Sequence, residues 1–270
     1  MTYKMFRIAL AIVLASFVLS SAAWAATTCS NASLSGTYGW LHGGTASDGT
    51  PVIGVSQVTF DSTTGTYTGE DTASHDGVIT TESITATYAV RSNCTGKATV
   101  KVDGQLAGNI AFVVTSTGFL SLNLTPGGQR TLAGPGVKQG SPTCTNAGVA
   151  GSFGFQATGV FVAGAPVTGP VAFIGELKLS GNGSGDGVIS GHIAGSEDGT
   201  ILKFAEEPVT GAYKVGKDCR GRATITPKGL PEMHFSLVIV DGGNKMLALE
   251  TDADTVVSGT LENNDLLQSF

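Results

Sequence analysis

Cys29-Ser-Asn-Ala-Ser-Leu-Ser-Gly-Thr-Tyr-Gly39 returns later in the chain as Cys144-Thr-Asn-Ala-Gly-Val-Ala-Gly-Ser-Phe-Gly154. Cys, Asn, Ala and both later glycines coincide at an offset of 115 residues (29 to 144), and Thr37/Ser152 and Tyr38/Phe153 are near-isosteric exchanges. Tyr88-Ala-Val-Arg-Ser-Asn-Cys-Thr-Gly-Lys-Ala-Thr99 then matches Tyr213-Lys-Val-Gly-Lys-Asp-Cys-Arg-Gly-Arg-Ala-Thr224 at an offset of 125 (88 to 213). That offset persists to Leu122 and Gly134 against Leu247 and Gly259. Correspondence at both ends of a unit marks an internal duplication. One module occurs twice, with about ten residues added in the middle of the second copy.

Each module reads as all-β. Ala98, Val100 and Val102 alternate with Thr99 and Lys101, and Ile110, Phe112 and Val114 match Phe235, Leu237 and Ile239 as one-sided apolar ladders. Leu120, Leu122 and Leu124 alternate with Ser121 and Asn123 and read as a further ladder of the same kind. Asp-Gly pairs at Asp48, Asp76, Asp103, Asp186, Asp198 and Asp241 punctuate the pattern, as type I′ hairpin turns require. The expectation is two tandem antiparallel meanders, each a small eight-stranded β-barrel, with a β-sandwich as the alternative.

The ends and the junction are set by composition. Lys4 and Arg7, the apolar run from Ile8 to Leu19 and Ala23-Trp24-Ala25 form the n-region, h-region and cleavage site of a signal peptide over 1–25. A run of about a dozen apolar residues is short of the roughly 20 that a membrane-spanning helix needs. The first module is expected over 26–138, a Pro- and Gly-rich linker over 139–143, the second module over 144–262 and a tail without repeat counterpart over 263–270. If each module folds on its own, the disulfides are Cys29–Cys94 and Cys144–Cys219, as an exported chain with an even cysteine count permits.

Without residues 1–25, which hold Lys4 and Arg7, 13 basic residues (15 less those two) face 21 acidic ones, a net charge of −8. Nucleic acid and anionic membranes select basic surfaces, so neither is an expected partner. No nucleophile elbow, zinc-protease motif, Cys-x-x-Cys or phosphate loop occurs, and no cofactor is expected.

The two Cys-x-Asn-Ala openings, Tyr-x-Val with the following Cys-x-Gly-x-Ala-Thr, and the closing Val240-Asp-Gly-Gly-Asn244 with Thr251-Asp252 and Thr255-Val256 resemble an uncharacterised secreted repeat family of environmental bacteria. The resemblance covers nearly all of the mature chain and implies an exported protein, with no catalytic residues to carry over. At the level of fold alone, the expected barrel is similar to the lipocalin and allene-oxide-cyclase-like groups, and fold does not give function.

Three residues mark a candidate ligand site. Tyr38, Trp40 and His42 share one face of the first strand, where the second copy has Phe153, Phe155 and Ala157. An inward aromatic stripe is either core or the lining of a cavity with a polar group to orient a ligand. Glu250, Asp252 and Asp254 could offer oxygens to a cation. Their counterparts at the offset of 125, Thr125, Gly127 and Gln129, carry no acid, so a solvated turn is the favoured reading and no metal is expected. These residues suit a secreted non-catalytic module with an interaction or structural role in the extracellular or envelope space, touching a cell-surface component. The alternatives are a barrel binding a small hydrophobic ligand and a cyclase- or hydrolase-like barrel enzyme.

Overall fold

The computed structural model describes residues 28–123, 130–141, 143–165, 168–181, 185–202, 208–229 and 231–264. The segment 1–25 expected to be a signal peptide and most of the C-terminal tail lie outside them. In the first module β1 (Gly36–Ala46), β2 (Pro51–Asp61), β3 (Thr66–His75), β4 (Val78–Val90), β5 (Thr95–Val102), β6 (Gln105–Val114), β7 (Gly118–Asn123) and β8 (Arg130–Lys138) pair in chain order, and β1 closes on β8. In the second, β9 (Gly151–Phe161), β10 (Gly169–Ser180), β11 (Gly187–Glu197), β13 (Pro208–Val215), β14 (Arg220–Pro227), β15 (Met233–Val240), β16 (Lys245–Glu250) and β17 (Thr255–Asn263) form the same antiparallel ring. The short β12 (Thr200–Leu202) pairs with β11. Two closed eight-stranded barrels follow one another, which is the barrel and not the sandwich arrangement.

Local chemistry explains the hairpins. Asp76-Gly77 and Asp103-Gly104 both take positive φ, the backbone that a two-residue type I′ turn demands. The strand register locates the extra residues of the second copy. Phe60 pairs with Gly36 as Leu179 does with Gly151, and Tyr67 pairs with Phe60 as Ile189 does with Leu179. The offset thus grows from 115 to 119 (60 to 179), to 122 (67 to 189) and to 125 (88 to 213). The insertion is shared by the β9–β10, β10–β11 and β11–β13 connections.

The Cys-x-Asn-Ala segment plugs one end of each barrel. Asn31 Oδ1 accepts the Val90 amide at 2.8 Å, and its counterpart Asn146 Oδ1 accepts that of Val215 at 2.7 Å. Tyr88 Oη donates to the Leu34 carbonyl, Tyr213 Oη to the Asn146 carbonyl, and Leu34 and Val149 are buried beneath. The cysteine beside each plug bonds as the repeat required, Cys29 to Cys94 and Cys144 to Cys219, each with Cα atoms 4.9 Å apart. Asn and Tyr are therefore fixed by plugging the barrel as much as by the strands.

Each barrel encloses its own core, one around Tyr38, Phe60, Phe112 and Phe119 and one around Phe153, Phe173, Tyr213 and Leu237. A third apolar cluster lies between them. Val238, Val240, Leu247 and Leu249 on the outside of β15 and β16 pack on Leu41, Ile53, Val55 and Val137 on the outside of β1, β2 and β8. Polar contacts edge this interface. Gln57 Nε2 donates to the Asp218 carbonyl, Ser74 Oγ to that of Thr255 and Gln139 Nε2 to that of Ile239, and Arg220 pairs with Glu70. The modules are thus not two beads on a linker.

One ladder runs the other way from expectation. Leu120 and Leu122 are 56% and 44% exposed, while Phe119 and Ser121 face the barrel interior. Alternation fixes that neighbours face opposite ways, but with leucine on one side and phenylalanine on the other the pattern did not say which side is in. Leu124 lies outside the described residues.

Candidate functional site

His42, Ser56 and Asp71 come together inside the first barrel from three adjacent strands. The register sets Trp40 opposite Ser56 and Ser56 opposite Asp71, so all three face inward with His42. Asp71 Oδ1 is the hub: Ser56 Oγ donates to it at 2.7 Å and His42 Nε2 lies 3.1 Å from it. An ionised carboxylate only accepts, so Nε2–H is the donor in the contact with Asp71. His42 is 5% and Ser56 0% exposed. Gly54 makes room for the ring, since a Cβ there would stand 2.5 Å from His42 Cε1.

The trio belongs to the first copy alone. At the matching places the second barrel has Ala157, Gly175 and Ile193, and Phe173 where the first has Gly54. The two copies fill the same space from opposite strands. In one the ring comes from β1 over a glycine of β2, and in the other from β10 over an alanine of β9.

This arrangement is not a nucleophile relay. In such a relay the imidazole sits between hydroxyl and carboxylate so that it can take the hydroxyl proton. Here the carboxylate sits between the other two. Trp40 packs on His42 with ring centres 4.7 Å apart, and Trp40 Nε1 and His42 Nδ1 are buried with no hydrogen-bond partner among the described residues. Tyr38 joins the aromatic cluster, 5.3 Å from Phe60 and 5.8 Å from Phe119 between ring centres, and burial pushes its hydroxyl pKa up. The void beside Trp40, Phe60 and Phe119 measures about 10 Å³ and its counterpart beside Phe155 and Phe235 about 20 Å³. A single water needs about that much. The aromatic stripe is packed as core.

The three acids of the β16–β17 region do not converge. Glu250 points into the second barrel from the inward side of β16, 2% exposed, with Oε2 unpaired among the described residues. Burial, helped by the negative charge of Asp252, pushes its pKa up to about 8. Asp252 faces outward and accepts from the backbone N–H of His234 at 2.8 Å and from its Nδ1 at 2.7 Å. Asp254 stands in the turn with positive φ, its N–H donating to the Gly77 carbonyl. Among the described residues no group of three or more His, Cys, Asp and Glu side chains is placed to hold a metal ion.

Of the cluster around Asp71, only His42 stood out in the sequence. Ser56 and Asp71 were legible only as polar residues at positions where the second copy has Gly175 and Ile193. Aligning them requires the strand register, because the offset changes between the matched ends of the module. No family model, no curated protein and no solved structure matches the chain.

Proposed function

We propose that the protein works through its surface: an exported, disulfide-stapled pair of barrels with a non-catalytic interaction or structural role in the extracellular or envelope space. The observation that carries this reading is the filling of both interiors. A barrel that binds or transforms a ligand holds a chamber of several hundred Å³, whereas the interior voids here are about 10 and 20 Å³. Two intramodular disulfides suit an oxidising compartment. No helix among the described residues is long and apolar enough to cross a membrane. Three concavities of hundreds of Å³ are open grooves on the outer walls and at the junction of the barrels.

Native mass spectrometry of the exported protein tests the reading. The expected mass is that of the chain from residue 26 with two disulfides and nothing bound. A small molecule that co-purifies and survives desalting would return the Trp40–His42 region to consideration as a ligand site and overturn the proposal.

A further inference from the structure

The contact between the two barrels joins two different faces, and the duplication supplies each face twice. The outside of β15–β16 in the second barrel, carrying Val238 and Leu247, lies on the outside of β1–β2 in the first, carrying Leu41 and Val55. At the offset of 125 the counterpart of the first face is the outside of β6–β7, with Val113 for Val238 and Leu122 for Leu247. By strand register the counterpart of the second is the outside of β9–β10, with Gln156 for Leu41 and Ile174 for Val55. Among the described residues neither counterpart is covered: Val113, Leu120 and Leu122 are 47%, 56% and 44% exposed, and Ile174 is 64% exposed.

We propose that the chain docks head to tail on further copies of itself, the β6–β7 face of one molecule seating on the β9–β10 face of the next. A groove of about 440 Å³ runs along the first of these faces between Lys97, Val113 and Leu122. A groove of about 450 Å³ marks the second, between Gly154, Ile174 and Glu262. The second groove has the floor that docking uses inside the chain. Gly39 admits Val238, Val240 and Leu247, whose methyl carbons come within 2.5 to 3.0 Å of where its Cβ would be. Gly154 holds the same place in the second groove, and among the described residues the three atoms nearest its Cβ position all belong to Asn264.

Charge adds less than shape: Arg91 and Lys97 line the β6–β7 groove and Glu176 stands exposed on β10, but Lys178 follows on the same face and Glu262 in the β9–β10 groove is already ion-paired with Lys245 at 2.6 Å. Glu176 occupies the place of Gln57, which in the intramolecular contact reaches the Asp218 carbonyl. The counterpart of Asp218 is Asn93, two residues from Arg91. Gln156 and Glu262 replace Leu41 and Val137, so the free face is more polar than the one already buried, and the contact is weaker and reversible. Two unlike faces that pair make a heterologous contact, which repeats into a ring or a filament and does not stop at a symmetric dimer.

The inference deepens the proposed role and rests on it in one respect, that the surface and not the interior is the working part. Sedimentation velocity of the mature chain over a range of concentrations reads it out, with Leu122→Glu and Ile174→Glu, both at exposed positions, and circular dichroism as the folding control. The wild type is expected to gain mass with concentration, and each variant to stay at monomer mass. An equal mixture of the two is expected to give a species of twice the monomer mass and nothing larger, because each variant keeps one intact face. A wild type that stays monomeric, variants that still associate, or a mixture that stays monomeric would each overturn the proposal. So would association that appears only after removal of residues 265–270, which would assign the face to the chain's own tail. A ligand-free monomer sinks the assembly alone, whereas a ligand held inside a barrel sinks the role.

Discussion

Gly39 and Val240 belong to different barrels, and a Cβ built on Gly39 would stand 2.5 Å from Cγ1 of Val240. The outer wall of the first barrel therefore meets the second at backbone level, and the glycine is what allows it. Gly39→Ala should force the β1–β2 and β15–β16 faces apart and cost about 1–3 kcal/mol, the usual range for overpacking. Gly154→Ala, its counterpart, should be nearly neutral in the monomer, since the described atoms nearest its Cβ are those of the Asn264 side chain, 3.1 Å or more away. Chemical unfolding of the two variants checks this; equal costs would mean that the barrels do not rely on close approach at Gly39.

Separating the modules follows from the same interface. Each barrel is closed and has its own core, so both halves of a chain cut near Gly140 should show β circular dichroism. The cut also uncovers Val238, Val240, Leu247 and Leu249, so the second half alone should be less stable and prone to associate. Mixing the halves should restore a 1:1 complex on gel filtration. Halves that stay soluble, stable and apart would show that the shared cluster contributes little.

Glu250 gives a pH dependence with a definite sign. Folded, it keeps its proton up to about pH 8; unfolded, it releases it near the ordinary 4.5. Between those values a rise in pH deprotonates only the unfolded chain, which stabilises that chain. Stability should fall from about pH 4.5 to about pH 8, by on the order of 5 kcal/mol in all. Glu250→Gln should flatten that part of the curve and be more stable than wild type at pH 8. Parallel curves for the two proteins would show that burial does not hold this carboxyl protonated.

Trp40 and Phe155 are equivalent positions, 8% and 5% exposed, in two filled interiors. Trp40→Ala and Phe155→Ala should each lose about 3–5 kcal/mol on thermal unfolding. A much smaller loss at Trp40 would indicate that this residue lines open space, which packed core does not leave.

The disulfides close loops of 65 and 75 residues. In the chain-entropy account each contributes on the order of 4 kcal/mol. Non-reducing peptide mapping should recover Cys29–Cys94 and Cys144–Cys219 peptides, and reduction should lower the unfolding temperature of both barrels. A peptide joining Cys29 to Cys144 would contradict the plugged-barrel arrangement.

What the sequence by itself determined is local or periodic. The repeat, the pairing of cysteines within each copy, the hairpin turns at Asp-Gly and the inward face that carries Tyr38, Trp40 and His42 all rest on spacing along the chain, which duplication and the period of two preserve. Tertiary structure alone decided three things. Asp71 and Ser56 join His42 because barrel registry sets β1, β2 and β3 side by side, and no spacing in the chain encodes that once the offset drifts from 115 to 122. Leu120 and Leu122 face outward because Phe119 and Ser121 take the interior. In β16, Lys245-Met-Leu-Ala-Leu-Glu250, both faces are buried, Met246 and Ala248 by their own barrel and Leu247 and Leu249 by the other. An apolar residue records that it is covered, not by what, so the meeting of the two barrels became visible only in the folded chain.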